Sequence, residues 1–153
     1  MSTIPDVEVY LVISDWAKEN IKLETDYKYD DHNMGAAIFS GSFIVDVMVI
    51  APASMKTVAG IAVGFDDDLI IRTASVMLKE QRKLILVPRE TPLSAIHLEN
   101  LTKLSKLGVQ IIPPIPSFYD HPKIIQDIID QQFMKVLDSL GIDNEVRKRW
   151  MGE

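Results

Sequence analysis

A cation and a carboxylate stand side by side directly after a short apolar run, so Arg89 and Glu90 are the first candidates for chemistry. The run Leu84 to Val87 has the length and apolar character of a buried strand of a parallel sheet, and Pro88 ends it. Ligands of open α/β sheets bind beyond the carboxyl ends of the strands. Arg89 and Glu90 are therefore candidates for a functional site, although charged loop residues more often form a solvated ion pair.

Polar residues also follow the other predicted strands. Ser14 comes after the first strand, and Ser54 and Thr57 lie in the turn after the second. Hydroxyls and free amides at the start of a helix suit a phosphate or the edge of a flavin, although Ser54 taken alone is better explained as a helix cap. Tyr119 lies in the loop after the fourth strand. Loops that converge on one edge of a sheet predict a single binding crevice.

The Ser40-Gly41-Ser42 loop precedes the second strand and offers small side chains and free amides that can approach a ring or a phosphate closely. It could equally be an ordinary turn. The histidines do not stand at ligand spacing, and the chain has no cysteine, so we predict no metal site and no disulfide framework.

Alternating strand and helix patterns position these residues. The apolar periodicity predicts strands over residues 7–13, 43–50, 84–87 and 109–112, and helices over residues 15–25, 55–64, 69–81, 92–107 and 124–140. Strands separated by helices pair in parallel through right-handed crossovers. The sequence therefore predicts an α/β fold in which four parallel strands carry the polar loops at one edge.

Length and composition limit the possible functions. The 153 residues are enough for one domain with a real core, and residues 1–153 read as a single unit. A net charge of −6 argues against binding to nucleic acid or to an anionic membrane. The N-terminus lacks the pattern of a signal peptide, and no apolar run has the length of a membrane span. We therefore expect a cytoplasmic protein.

Four stretches of the sequence carry a resemblance to a known family. They are SGSF (40–43), VMVIAPASMKTVAGIAVGFDDDLIIR (47–72), LKEQRKLILVPRETPLSAIHLENL (78–101) and GVQIIPPIPSFYDHP (108–122). The chain resembles the UbiX-like flavin prenyltransferases, including the B subunits of hydroxyarylic acid decarboxylases. The resemblance implies a flavodoxin- or Rossmann-like three-layer sandwich with a parallel sheet, and a homo-oligomer, typically a dodecamer, whose sites are shared between subunits.

The same resemblance implies an activity and a set of site residues. The family transfers a dimethylallyl group from dimethylallyl phosphate to FMN without a metal, and a UbiD-type decarboxylase receives the prenylated FMN. Residues around the flavin would be Ser40, Ser42, Ser54, Met55, Thr57 and Arg72. We add Ser14 and Arg89 to the flavin-binding candidates because each follows a predicted strand. Residues that hold the prenyl phosphate would be Lys79, Tyr119 and Lys135. Glu90 and Glu24 would be the active-site acids.

The chain also departs from the family pattern. The usual first strand and its glycine-rich phosphate loop have no counterpart before Val7, and the segment between Thr25 and Ser40 is shorter than usual. Lys135 stands where arginine is usual, which keeps the charge but loses the bidentate fork. Two alternatives therefore stay open. One is a non-catalytic flavin-binding or assembly subunit of a decarboxylase system, and the other is a flavoenzyme related to the cysteine decarboxylases.

Overall fold

The computed structural model describes residues 7–14, 27–33, 38, 40–119 and 121–143. These residues form five strands and four helices. In chain order they are β1 (Tyr10–Ile13), β2 (Tyr27–Asp30), β3 (Val47–Ala53), α1 (Met55–Val63), α2 (Leu69–Lys79), β4 (Lys83–Pro88), α3 (Ala95–Lys106), β5 (Gln110–Ile111) and α4 (Ile125–Leu140). None of the helices in these ranges is long and apolar enough to span a bilayer.

Every strand pair is parallel, as predicted, but the strands form two sheets rather than one. β1 pairs with β2, with Tyr10 opposite Tyr27 and Ile13 opposite Asp30. The second sheet has the order β3-β4-β5. No strand of the described residues lies between β1 and β3.

The two sheets run in the same direction. At their starts, the ring of Tyr10 in β1 packs edge-on against Phe43, which precedes β3, with the ring centroids 5.3 Å apart. At their ends, the backbone carbonyl of Asp31, directly after β2, accepts a hydrogen bond from the amide of Leu69 at 2.8 Å. Helix α2 begins at Leu69, and its cap Asp68 contacts Lys56 in the turn that follows β3. The carboxyl ends of both sheets therefore lie at one edge of the molecule.

The main core lies on the β3-β4-β5 sheet. Leu84, Ile85 and Leu86 of β4 are at most 1% exposed, and the helices α1 and α2 pack over this sheet. The two helices meet closely at Gly60, where a Cβ atom would lie 2.6 Å from Cδ1 of Ile71. The continuous apolar run of β4 is thus buried on both faces, as expected for an interior parallel strand.

Several predicted element boundaries were wrong. The predicted strand 43–50 begins only at Val47 and continues to Ala53. The predicted helix 92–107 begins at Ala95, because Ser94 caps it by accepting a hydrogen bond from the amide of His97. Strand β2 was not predicted at all. The predicted helix 15–25 lies outside the described residues.

Candidate active site

A cleft of about 610 Å³ lies between β1 and β3 and reaches the carboxyl ends of the strands. Several of the predicted site residues line this cleft. The predicted site residues in its lining are Ser14, Ser54, Met55, Thr57, Arg89 and Glu90. Residues separated by up to 76 positions in the chain therefore share one crevice, because their strands end at the same edge.

The Ser54 turn forms the start of α1 at one wall of the cleft. Ser54 Oγ accepts a hydrogen bond from the amide of Thr57 at 3.2 Å and lies 2.9 Å from Thr57 Oγ1. Ser54 is therefore the helix cap, as its type and position favoured, and it also faces the cleft. The helix N-terminus presents amide donors and hydroxyls to this space, which is an arrangement that suits a phosphate.

Arg89 and Glu90 do not form a solvated ion pair with each other, which was the alternative to a functional role. Glu90 Oε1 accepts a hydrogen bond from the amide of Thr91 at 2.9 Å. The Arg89 guanidinium has no carboxylate within ion-pair distance in the described part of the chain, and both side chains are exposed. The cleft therefore has a cation and a carboxylate that are each available to a ligand.

A wall of charged residues that sequence reasoning missed also lines the cleft, next to the Ser54 turn. Lys56 Nζ lies 3.1 Å from Asp68 Oδ2 and 3.3 Å from Asp67 Oδ2, and the hydrogen bond with Asp68 raises the pKa of Lys56. Asp68 also caps α2 by accepting from the amide of Ile71 at 2.8 Å. The charge of Lys56 is therefore already balanced, so Arg89 is the better candidate for an anionic ligand.

Asp31 completes this wall from the β1-β2 sheet. Its Oδ1 accepts a hydrogen bond from the amide of Ile70 at 3.1 Å, and its side chain is buried. Burial is the main cause that raises the pKa of Asp31, and the nearby charge of Asp68 raises it further. For Asp68, the signal in the sequence is the run of three aspartates directly before the predicted helix 69–81, which is typical of a helix cap. The described acidic residues form no group arranged to hold a metal ion.

The Ser40-Gly41-Ser42 loop is held in place by hydrogen bonds, but it lies outside the lining of the cleft. The two serine hydroxyls lie 2.7 Å apart. Arg82 fixes the loop by donating to the carbonyls of Gly41 and Phe43, each at 2.7 Å. The role of Arg82 was also missed, because a guanidinium next to a strand gives no sequence signal for its carbonyl partners.

Gly41 brings this loop against the end of α2. A Cβ atom at Gly41 would lie 2.7 Å from Glu80 Oε1 and 3.7 Å from Lys79 Nζ. Lys79 Nζ itself lies 4.0 Å from Glu80 Oε1. The structure therefore groups Lys79 with Ser40 and Ser42, at a distance from the cleft that holds Glu90.

The remaining predicted residues lie on other surfaces of the chain. Tyr119 is 70% exposed in the loop before α4, and Lys135 is exposed on α4. Arg72 is on α2, with Nη1 3.9 Å from Asp66 Oδ2. None of the three lines the cleft, and Glu24 lies outside the described residues. A single chain thus presents the predicted site in separate parts.

The comparisons with known proteins decide the family. A family model described as Flavoprotein matches residues 4–138. The chain is 62% identical to the flavin prenyltransferase LpdB of Lactiplantibacillus plantarum, over 97% of this chain and 86% of LpdB. It is 51% identical to the flavin prenyltransferase UbiX of Methanocaldococcus jannaschii, over 89% of this chain and 73% of that protein. The chain belongs to the UbiX-like flavin prenyltransferase family.

Solved structures of this family have the same fold. A dodecameric FMN-dependent UbiX-like decarboxylase from Escherichia coli O157:H7 matches with a TM-score of 0.91 and 47% identity, over 97% of this chain and 86% of that chain. AnUbiX (PadA1), solved in complex with FMN and dimethylallyl pyrophosphate, matches with a TM-score of 0.90 and 46% identity, over 97% and 85%. The cypemycin decarboxylase CypD shares only the fold, with 16% identity and a TM-score of 0.60.

Proposed function

We propose that this chain is a flavin prenyltransferase that transfers the dimethylallyl group of dimethylallyl phosphate to FMN. The observation that carries the proposal is the cleft at the carboxyl ends of the strands. It brings the helix-capping Ser54 turn together with Arg89 and Glu90, in a chain that is 62% identical to a flavin prenyltransferase. A phosphate-binding turn and a proton-transfer group in one crevice are the parts that this reaction needs.

The residues of the cleft fit FMN. The amides at the start of α1 and the hydroxyls of Ser54 and Thr57 can donate to a phosphate or a flavin edge, and Arg89 supplies a cation without a carboxylate partner among the described residues. When bound, reduced FMN supplies the electron-rich ring that receives the prenyl group. Glu90 would exchange a proton with that ring, and the proposal is supported by the fact that Glu90 lines the same cleft.

We propose that the prenyl phosphate is held by Lys79, Tyr119 and Lys135. The leaving phosphate carries close to two negative charges, so two ammonium groups and a phenol donor match its chemistry. These side chains are exposed and lie outside the cleft of their own chain. We therefore propose a homo-oligomer in which a neighbouring copy presents them to the cleft. The dodecameric state of the E. coli relative supports this arrangement.

Two further proposals concern the prenyl donor and the protein that receives the prenylated FMN. The AnUbiX complex contains dimethylallyl pyrophosphate, whereas we propose the monophosphate as the donor used by this chain. We further propose that a UbiD-type decarboxylase receives the product and that the protein works in the cytoplasm. Parallel assays with dimethylallyl phosphate and dimethylallyl pyrophosphate distinguish the two donors, because only the donor that the protein uses gives prenylated FMN.

The decisive experiment incubates the protein with reduced FMN and dimethylallyl phosphate and measures the flavin by mass spectrometry. Replacing Glu90 by Gln keeps the shape but removes the titratable proton, so turnover is expected to fall by about 10²-fold or more while FMN still binds. Glu99→Gln on the exposed face of α3 is the matched control and should leave turnover unchanged.

Two outcomes would count against this proposal. An undiminished rate in Glu90→Gln would remove Glu90 from the reaction. Binding of FMN by the wild-type chain without any prenylated product would favour the alternative of a non-catalytic flavin-binding subunit.

A further inference from the structure

The connection between β5 and α4 carries Tyr119, which is one of the three residues proposed to hold the prenyl phosphate. We call residues 115–119 and 121–124 the Tyr119 loop. Within one chain this loop gains little from packing, because Ile115, Phe118 and Tyr119 are each at least 66% exposed. Its conformation therefore depends on polar contacts, and the described residues show such contacts at both of its ends.

The end of the Tyr119 loop that enters α4 is held by the first turn of that helix. Asp127 accepts hydrogen bonds through Oδ2 from the amides of Lys123 at 2.7 Å and Ile124 at 3.1 Å. A side chain at the third helical position commonly reaches back to the amide of the cap in this way. Inside the loop, the amide of His121 donates to the carbonyl of Phe118 at 3.0 Å and closes a turn around Tyr119.

The other end of the Tyr119 loop is held by a side chain from further along α4. Gln132 donates through Nε2 to the backbone carbonyl of Ile115 at 2.6 Å, across 17 positions of the chain. Since α4 begins at Ile125, Gln132 lies about two turns into the helix. The two anchors, Asp127 and Gln132, are thus on one helix, and the loop between them must run alongside its first two turns.

Lys135, another residue proposed to hold the phosphate, follows Gln132 on α4 and is exposed. Residues three apart lie on the same face of a helix, and long helical side chains lean toward the N-terminus. Gln132 therefore joins the Tyr119 loop to the face of α4 on which Lys135 stands. Tyr119 is four residues from Ile115, so its Cα atom lies at most about 14 Å from that of Ile115. Holding Ile115 thus limits how far the phenol can move from Lys135.

A phosphate that is held by a phenol and an ammonium group needs both of them at a fixed separation. The lysine ammonium is a point charge on a flexible stem, so it attracts a phosphate without orienting it. The phenol of Tyr119 can donate a directed hydrogen bond, but this requires a loop with one conformation. Tyr119 and Lys135 belong to the same chain, so in the proposed homo-oligomer they reach the cleft of a neighbouring copy as one unit.

We propose that Gln132 is a positioning residue for prenyl transfer, which holds Ile115 and thereby keeps the phenol of Tyr119 and the ammonium of Lys135 at the separation that one phosphate spans. This role rests on the proposed function, since it assumes that these two groups bind the prenyl phosphate. It does not require Gln132 to touch the phosphate or the flavin. Loss of the Gln132 amide should therefore weaken binding of the prenyl donor and leave binding of FMN unchanged.

The first test measures the hold on the loop without any ligand, so its result does not depend on the proposed reaction. Gln132→Met keeps an unbranched side chain of similar length and removes the donor. Gln126→Met is the matched control, because Gln126 lies on the same helix but donates to Asp130 Oδ1, at 2.7 Å, and not to the loop. Hydrogen exchange is measured by mass spectrometry on peptides that cover residues 113–123. Exchange is expected to be about fivefold faster or more in Gln132→Met and unchanged in Gln126→Met.

The second test follows prenylation of reduced FMN with dimethylallyl phosphate as the donor. In Gln132→Met, the KM for the donor is expected to rise about fivefold or more while kcat stays within about twofold. The Kd for FMN, measured by quenching of flavin fluorescence, should not change, and Gln126→Met should match the wild type in all three quantities. In a Tyr119→Phe background, Gln132→Met should raise the KM by less than about twofold, because Gln132 acts through the hydroxyl that is already absent.

The outcomes separate the positioning role from the proposed function. Wild-type exchange or a wild-type KM in folded Gln132→Met would overturn the positioning role. An equal rise in KM with and without the Tyr119 hydroxyl would assign Gln132 to general stability and also overturn it. A wild-type chain that yields no prenylated FMN would remove the proposed function, and the positioning role with it. Circular dichroism checks folding, and Gln132→Asn, whose amide is one methylene shorter, replaces Gln132→Met if that variant does not fold.

Discussion

The β3-β4-β5 sheet and the β1-β2 sheet have the same parallel pairing but differ in burial. The larger cluster of buried side chains includes Leu84 and Leu86 from β4 and Val58 and Ile61 from α1. Among the described residues, the cluster beside β1 and β2 has Ile38 and Leu69 as its buried members, with partly buried residues around them. Parallel pairing and an apolar sequence are therefore insufficient for burial. A strand becomes interior only when neighbours cover both its edges and both its faces.

The candidate active site lies on the boundary between these two regions. Ser54, Arg89 and Glu90 project from the well-packed sheet, whereas Ser14 and Asp31 come from the other. The first three are thus placed by a rigid framework, which is what precise positioning of reacting groups requires. The contribution of Ser14 and Asp31 depends on how firmly the smaller sheet is held.

Replacing a leucine by alanine in each sheet should show the difference in packing between the two sheets most clearly. Leu86 is fully buried, so Leu86→Ala is expected to lower the free energy of unfolding by about 3 kcal/mol. Leu11 in β1 is only partly buried, so Leu11→Ala should cost about 1 kcal/mol. Denaturant unfolding monitored by circular dichroism measures both. Equal losses would show that the smaller sheet is packed as tightly as the larger one.

Removal of the Arg82 side chain should have the next largest effect. Arg82→Ala leaves the carbonyls of Gly41 and Phe43 without their donors, so a loss of about 2 kcal/mol is expected. Arg82→Lys should recover only part of this, because an ammonium lacks the planar fork that reaches both carbonyls. Lys103→Ala on the exposed face of α3 is the control for loss of a positive charge. Equal midpoints of unfolding for Arg82→Ala and Lys103→Ala would show that the hydrogen bonds of Arg82 do not stabilise the fold.

Loss of the cap on α2 should have a smaller effect. Asp68→Ala removes the acceptor for the amide of Ile71 and one partner of Lys56, and a loss of about 1 kcal/mol is expected. Asp67→Ala removes only the other partner of Lys56, at a more exposed position, and should change stability by a few tenths of a kcal/mol at most, as is usual for surface ion pairs. Thermal unfolding of the two variants compares them directly, and a greater loss in Asp67→Ala would contradict the capping role.

The smallest predicted effect is the pH dependence of Asp31, where the two regions meet. A raised pKa in the folded state means that the carboxyl contributes stability below its unfolded pKa of 3.8 and that this contribution is lost as pH rises through the folded pKa. Asp31→Asn keeps an oxygen acceptor for the amide of Ile70 but does not titrate. The variant should therefore gain stability relative to the wild type between pH 4 and pH 7. Urea unfolding at the two pH values measures the change, and a relative loss at pH 7 would show that the ionised form is favoured.

Residues that directly follow a strand could be placed from the sequence. The apolar run before Arg89 and Glu90, and the one before Ser54, predicted strands, and parallel strands end at a common edge. Strand β2 could not be predicted in this way, because Tyr27–Asp30 contains a lysine and an aspartate and is mostly exposed. Its identity as a strand depends on the distant partner β1.

The remaining site residues show the limit of reasoning from one chain. Lys79 and Lys135 were assigned by family resemblance alone and Tyr119 also by its place after the fourth predicted strand, but the fold places all three outside the cleft. We propose that these residues meet the cleft of a neighbouring copy, and spacing along one sequence carries no information about such a contact. The contacts of Arg82 and Lys56 were missed for a related reason, since a long flexible cation can reach many partners that the sequence does not mark.

The position of Asp31 makes amide hydrogen exchange a direct report on the boundary. The first amides of a helix have no acceptor within the helix. At the start of α2, Leu69 and Ile70 find theirs on Asp31 of the smaller sheet, whereas Ile71 finds its own on the adjacent Asp68. A local opening that separates the two sheets would expose the first two amides to exchange while leaving the third protected. The ratio of exchange rates at these consecutive residues would thus measure how often the molecule divides along its cleft.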